Sequence, residues 1–331
     1  MNAPARLALF AAGLAVAFVG AFALAGAIVP ASAVADWQQQ APGTADPGAT
    51  DHDADHDPGT TDPKDATMTT IQGVSLSANG WALSPVEAPA GVGKPGILAF
   101  RILDEQGEPL TRFTTTHERE LHLIVVRSDG ARFEHVHPQL DAQTGVWSIA
   151  WEWDAAGSYR VFADFAPAVG DTAGVTLSRT VEVAGDVEPV VATGETRRDQ
   201  VDGFEVSIEG SLVAGAASQL ALTVTKDGRP VAELQPYLGA FGHLVALRDG
   251  DLAFLHVHAE GDAPSPGATA GPTIRFVATT PTAGRYLLFL DFQVDGVVRT
   301  AEFVLDAAAP SGAATGSVAP APTSTPDHDG H

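Results

Sequence analysis

The chain contains no cysteine among its 331 residues. That excludes disulfides, Cys-ligated zinc, iron–sulfur clusters, cysteine nucleophiles and the thiolate of a blue-copper site. Methionine is almost as scarce, with only Met1 and Met68, which counts against soft Cu(I) binding. Basic residues are few: 18 Lys and Arg stand against 41 Asp and Glu, a formal net charge of -23. Nucleic acids and anionic lipid headgroups are bound by Lys and Arg displacing counterions, so no nucleic-acid partner is expected. Helical periodicity is scarce, and neither a Gly-x-Ser-x-Gly elbow nor a phosphate loop occurs. The stretch GVGKPG (91–96) matches the dinucleotide pattern formally. Pro95 and the strand-like ILAFRI after it deny that pattern the helix N-terminus it requires. The chemistry left open must use His, Asp or Glu.

What is present begins with an uncharged apolar run from Leu7 to Val29, preceded by Arg6 and followed by the small-residue stretch Ala31-Ser32-Ala33. This reads as a membrane anchor or a cleavable signal peptide over 1–36. As an anchor, with Arg6 on the short side, it leaves everything after Trp37 outside the cytoplasm; if cleaved, the protein is secreted. Residues 37–68 are polar, acidic and rich in Pro and Gly, and 309–331 share that character. Both have too little apolar surface to offset the entropy of ordering, and they read as a disordered linker and tail. The histidines of DHDADHD (51–57) and of the terminal DHDGH read as parts of solvated segments rather than sites.

Between them, short runs of β-branched and aromatic residues recur between Gly, Pro, Asp and Asn clusters, which predicts antiparallel strands. The run divides into two similar halves, 69–186 and 187–308. His122, His135 and His137 have offsets of 13 and 15, and His243, His256 and His258 repeat them. GSYRVFADF (157–165) matches GRYLLFLDF (284–292), after a Pro/Gly-rich loop six residues longer in the second copy. The expected fold class is all-β: two tandem immunoglobulin-like or cupredoxin-like antiparallel β-sandwiches behind an N-terminal hydrophobic helix.

Asp129-Gly130 lies midway between two apolar strands, a strong hairpin signal because both residues tolerate positive φ. A two-residue loop there sets Ile124 opposite His135 and His122 opposite His137, so the three imidazoles share one face. In the second copy a Gly250-Asp251 turn opposes His243 to His258, and an Asp249-Gly250 turn opposes it to His256. Three neighbouring imidazoles per copy point to one three-histidine site per domain, for Cu(II) or zinc. Asp164 and Asp291 occupy matching positions in otherwise apolar strands, where an unpaired carboxylate would be costly. Each either completes a site or accepts the second ring N–H of a ligating histidine. His117 would fall on the opposite face of a continuous strand and is expected to be exposed.

HLIVVRSDGARFEHVHP and PYLGAFGHLVALRDGDLAFLHVH resemble a group of bacterial extracytoplasmic proteins, labelled heavy-metal-binding or uncharacterised, with one or two such β-domains behind a membrane segment. On that resemblance the six motif histidines are His122, His135, His137, His243, His256 and His258. More distantly, the spacing is similar to that of periplasmic copper-chaperone domains, whose His-x-Met has no counterpart here. The reading is of a non-enzymatic module for metal buffering or delivery. Its expected partners are the metal ion, the membrane through the N-terminal helix, and a membrane metal transporter or acceptor protein. Two other readings stand beside it: a structural pair of sandwiches whose histidines only pack, and a metal-dependent hydrolase, which would need a general base aimed at the open metal position.

Overall fold

The computed structural model describes residues 71–169, 174–255, 257–265 and 267–310. The expected anchor helix, acidic linker and C-terminal tail lie outside them, as does His256. Among the described residues the structure is all-β, and no helix is long and apolar enough to cross a membrane. Both sequence repeats fall within one compact unit.

Each repeat stacks two layers of strands. In the first, one layer runs Val175–Val183, Gly157–Pro167, Leu121–Arg127, Glu134–Val136. It is covered by a sheet of Gly96–Phe100, Val146–Trp151 and Gln139–Asp141, together with a smaller one of Ser77–Ala78, Trp81–Leu83 and Ile102–Leu103. In the second, the corresponding layer runs Leu212–Val213, Val297–Ala308, Gly284–Val294, His243–Arg248, Phe254–Leu255. Its cover runs Arg198–Val201, Phe204–Gly210, Ala217–Lys226, Thr273–Thr279, Val257–Ala259.

Alternation along a strand normally buries one face, yet every residue of Leu121–Arg127 is buried. Leu121, Leu123 and Val125 enter the first repeat's own core with Leu98 and Trp147. Ile124 and Val126 point the other way. With Phe133 and Phe162 they join Val245, Leu247, Phe254, Leu287 and Phe289 of the second repeat in a third apolar cluster. The two histidine-bearing sheets therefore pack face to face, and strands buried on both sides must be apolar on both sides. Full burial stabilises each such side chain by about 1.5–3 kcal/mol relative to exposure. Phe133 and Phe289 stack across the interface with centroids 3.9 Å apart and planes at 4°. Gly130, at φ +81°, leaves no room for a side chain: a Cβ there would lie 2.3 Å from Leu287 Cδ1.

The repeats also share their polar fastenings. Tyr159 and Tyr286, at matching positions, each donate a hydroxyl hydrogen bond at 2.9 Å to a carbonyl four residues back, of Ala155 and Thr282. Arg127 binds Asp129 and also donates to the Glu188 carbonyl at 3.0 Å, while Asp129 accepts the Val190 N–H at 2.8 Å. Arg285 donates to the Ala192 carbonyl at 2.6 Å. The segment joining the repeats is thereby tied to both.

Candidate metal centre

The interface row of the first repeat reads His122, Ile124, Val126, and that of the second reads His243, Val245, Leu247. At one end of the shared core, the apolar row on each side finishes in a histidine. His122 Nε2 lies 3.1 Å from the carbonyl oxygen of Thr116. A carbonyl only accepts, so Nε2 carries the proton and Nδ1 is left with a bare lone pair. Thr116 is placed for this by a tight turn in which Thr116 and Arg119 exchange backbone hydrogen bonds.

His135 comes from the facing strand of the same hairpin, paired with Ile124. Its Nδ1 is 2.7 Å from Oδ2 of Asp291, and both side chains are almost sealed from solvent, at 1% and 2% exposure. Asp291 belongs to the second repeat and also accepts the Thr300 hydroxyl at 2.6 Å. The carboxylate accepts the Nδ1–H, which turns Nε2 of His135 inward. That Nε2 faces His122 Nδ1 at 3.1 Å, and His137 Nε2 lies 3.2 Å from the same atom. Two nitrogens bound to one tetrahedral ion at 2.0–2.1 Å stand about 3.3 Å apart, close to these separations.

His243 supplies the second repeat's imidazole. Its ring stacks on His122 at 5.5 Å and 5°, and lies 4.9 Å from the ring of His135. One ligand nitrogen from each of His122, His135 and His243 falls within 4.8 Å of the other two. Burial, reinforced by the neighbouring His135, lowers the pKa of His122 and of His137 to about 3. The same causes hold His243 well below the ordinary imidazole range. These three rings are neutral near pH 7, the state in which imidazole is a ligand.

The residues singled out in the sequence are distributed as follows. His122, His135 and His137 converge, and His243 joins them instead of forming a separate group with His258. In the second repeat only Ala246 and Leu247 pair with Leu255 and Phe254, the register of a Gly250-Asp251 turn. The chain then crosses to the covering sheet, where His258 sits opposite Val277 and is exposed. In the first repeat pairing continues to Leu123 and Val136, so His135 stays on the interface sheet. Asp291 takes the outer role of orienting a histidine, but for the other repeat. Asp164 is paired across the ladder with His122, is half-buried, and accepts the Thr176 hydroxyl at 2.7 Å. His117 is exposed as expected but does not face away, because the turn at Thr116–Arg119 breaks the strand. Its ring centroid is 5.9 Å from that of His122 and 5.7 Å from that of His243. Tyr237, whose ring lies 6.5 Å from His137, also borders the group. No spacing pattern in the sequence singles out Tyr237 as a neighbour of the histidines.

A family model described as a domain of unknown function, DUF8832, matches residues 78–185 and again 199–309. The chain belongs to this family. It carries two DUF8832 domains in tandem, and the candidate centre lies where they meet. The family description names no metal, so membership of a metal-binding family does not follow from it. No protein of curated function matches the chain. Among solved structures, invasin, described as a bacterial integrin-binding protein, aligns at 16% identity and a TM-score of 0.21, over 69% of this chain and 39% of its own. The adhesin InvE of Yersinia pseudotuberculosis aligns at 10% identity and 0.20, over 70% and 60%. A putative membrane anchored protein from Corynebacterium diphtheriae aligns at 9% and 0.21, again over 70% and 60%. The chain thus spans less than two thirds of each, and overlaps this slight carry no statement about function.

Proposed function

We propose that the tandem DUF8832 domains form an extracytoplasmic metal-binding module that holds one Cu(II) or zinc ion between them. His122 Nδ1, His135 Nε2 and a nitrogen of His243 are the ligands, with His137 Nε2 beside them for a fourth position. One observation carries the reading. The outer partners of His122 and His135, Thr116 and Asp291, each accept a ring N–H, which turns His122 Nδ1 and His135 Nε2 toward one another at 3.1 Å. A metal ion would take the place of any proton shared between these two inward nitrogens, and the carboxylate–histidine pair is the usual outer support of a ligating imidazole. Residues 1–36 as an anchor or signal, immunoglobulin-like or cupredoxin-like description of the sandwiches, and a membrane transporter or acceptor as recipient of the ion belong to the same proposal.

X-ray absorption on the full chain loaded with one equivalent of zinc or Cu(II) tests it. Three or four imidazole nitrogens at about 2.0–2.1 Å are expected. An oxygen-only shell, or no saturable binding at micromolar metal, would overturn it.

A further inference from the structure

The inner nitrogens are sealed: His122 is 2% exposed and the His135 side chain 1%. An ion reaching them must shed its water in steps. Beside them a cleft of about 570 Å³ has His117, His243 and His258 on its wall, with Glu260, Asp262 and Arg275. The formal charge of those last three is negative by one, and the cleft opens from the ligand His243 to solvent.

We infer that this cleft is the passage by which a divalent cation enters and leaves the centre, with the exposed His117 as the transfer ligand. The inference rests on the metal-binding reading and adds to it a route and a residue. His117 is suited by position. Its ring neighbours both His122 and His243 at under 6 Å between centroids, so an ion held by His117 can gain an inner imidazole before losing the outer one. It also stands on a turn, at φ +48°, outside the sheet ladder. The second repeat has the buried Leu238 at the matching place, likewise at positive φ, so the exposed imidazole is a feature of one repeat and not of the turn. Glu260 and Asp262 raise the local cation concentration, the steering expected of carboxylates at a low-dielectric mouth.

The test is stopped-flow uptake of Co(II) by the full chain, followed by its d–d absorption, and extraction of the bound ion by a chelator. His117→Asn is the informative variant, because Asn tolerates positive φ and its amide is a poor ligand. Uptake and extraction should both slow about tenfold while the equilibrium affinity shifts far less, as for a change in barrier height alone. Glu260→Gln with Asp262→Asn should slow uptake in a manner that disappears at high salt. Unchanged rates in His117→Asn would overturn the route while leaving the centre intact. Failure of the unsubstituted chain to bind Co(II) would instead remove the centre itself.

Discussion

Nδ1 of His135 and Oδ2 of Asp291 are 2.7 Å apart, although 156 residues of chain and a domain boundary separate them. The contact makes the orientation of a first-domain histidine depend on the docking of the second domain. If that contact supports a ligand, Asp291→Asn should weaken zinc or Cu(II) binding about 10- to 100-fold, the range seen when an outer carboxylate is lost. Competition titration with a chromophoric chelator measures it; an unchanged affinity would show that Asp291 does not support the centre.

The third apolar cluster holds the two sheets together. Phe289 is 2% exposed and stacks on Phe133. Phe289→Ala should therefore destabilise the chain by about 3–5 kcal/mol, the usual cost of removing a buried Phe side chain. Urea unfolding reports this directly. The same variant should weaken metal binding, since it loosens the interface on which the ligands meet.

Acid should destabilise the metal-free protein. The pKa of His122 and of His137 falls to about 3 in the folded state, chiefly through burial, against 6.5 when exposed. Between those values the unfolded chain binds more protons than the folded one, so stability drops as pH falls from about 6.5 toward 3. His243, shifted in the same direction, adds to the slope. Denaturation midpoints compared at pH 7 and pH 5 give the sign, and His122→Phe should flatten the dependence.

The repeated tyrosines offer a graded test. Tyr159→Phe deletes a hydroxyl-to-carbonyl hydrogen bond of 2.9 Å and should cost about 1 kcal/mol, as for an ordinary neutral hydrogen bond. Tyr286→Phe deletes the matching bond together with the contact to the Thr282 hydroxyl at 3.1 Å and should cost more. Thermal melts of the two variants check the order, and equal midpoints would show that the Thr282 hydroxyl contact contributes nothing.

The strands, the duplication and the first hairpin were legible because each follows from local signals. Two-residue alternation, the Asp129-Gly130 turn and the matched offsets all act within a few residues. The register that sets Ile124 against His135 follows from the turn alone. What local signals could not carry was the face-to-face packing of the two repeats. The clue was present in LHLIVVR, apolar on both faces where a sandwich edge needs only one, but it does not name the partner surface. For the same reason the sequence alone pairs His243 with His258. Its strand looks like that of His122, and only the early crossing after Leu255 sends His258 to the covering sheet. His117 lies beside His122 and not on the opposite face because a turn at Thr116–Arg119 interrupts what reads as continuous strand.

The number of ions bound per chain tests the account most directly. Calorimetric titration of the full chain with zinc or Cu(II) should give one tight site, abolished equally by His122→Ala in the first domain and His243→Ala in the second, and kept by His258→Ala. Two tight ions per chain, with each single variant removing only the one in its own domain, would contradict it.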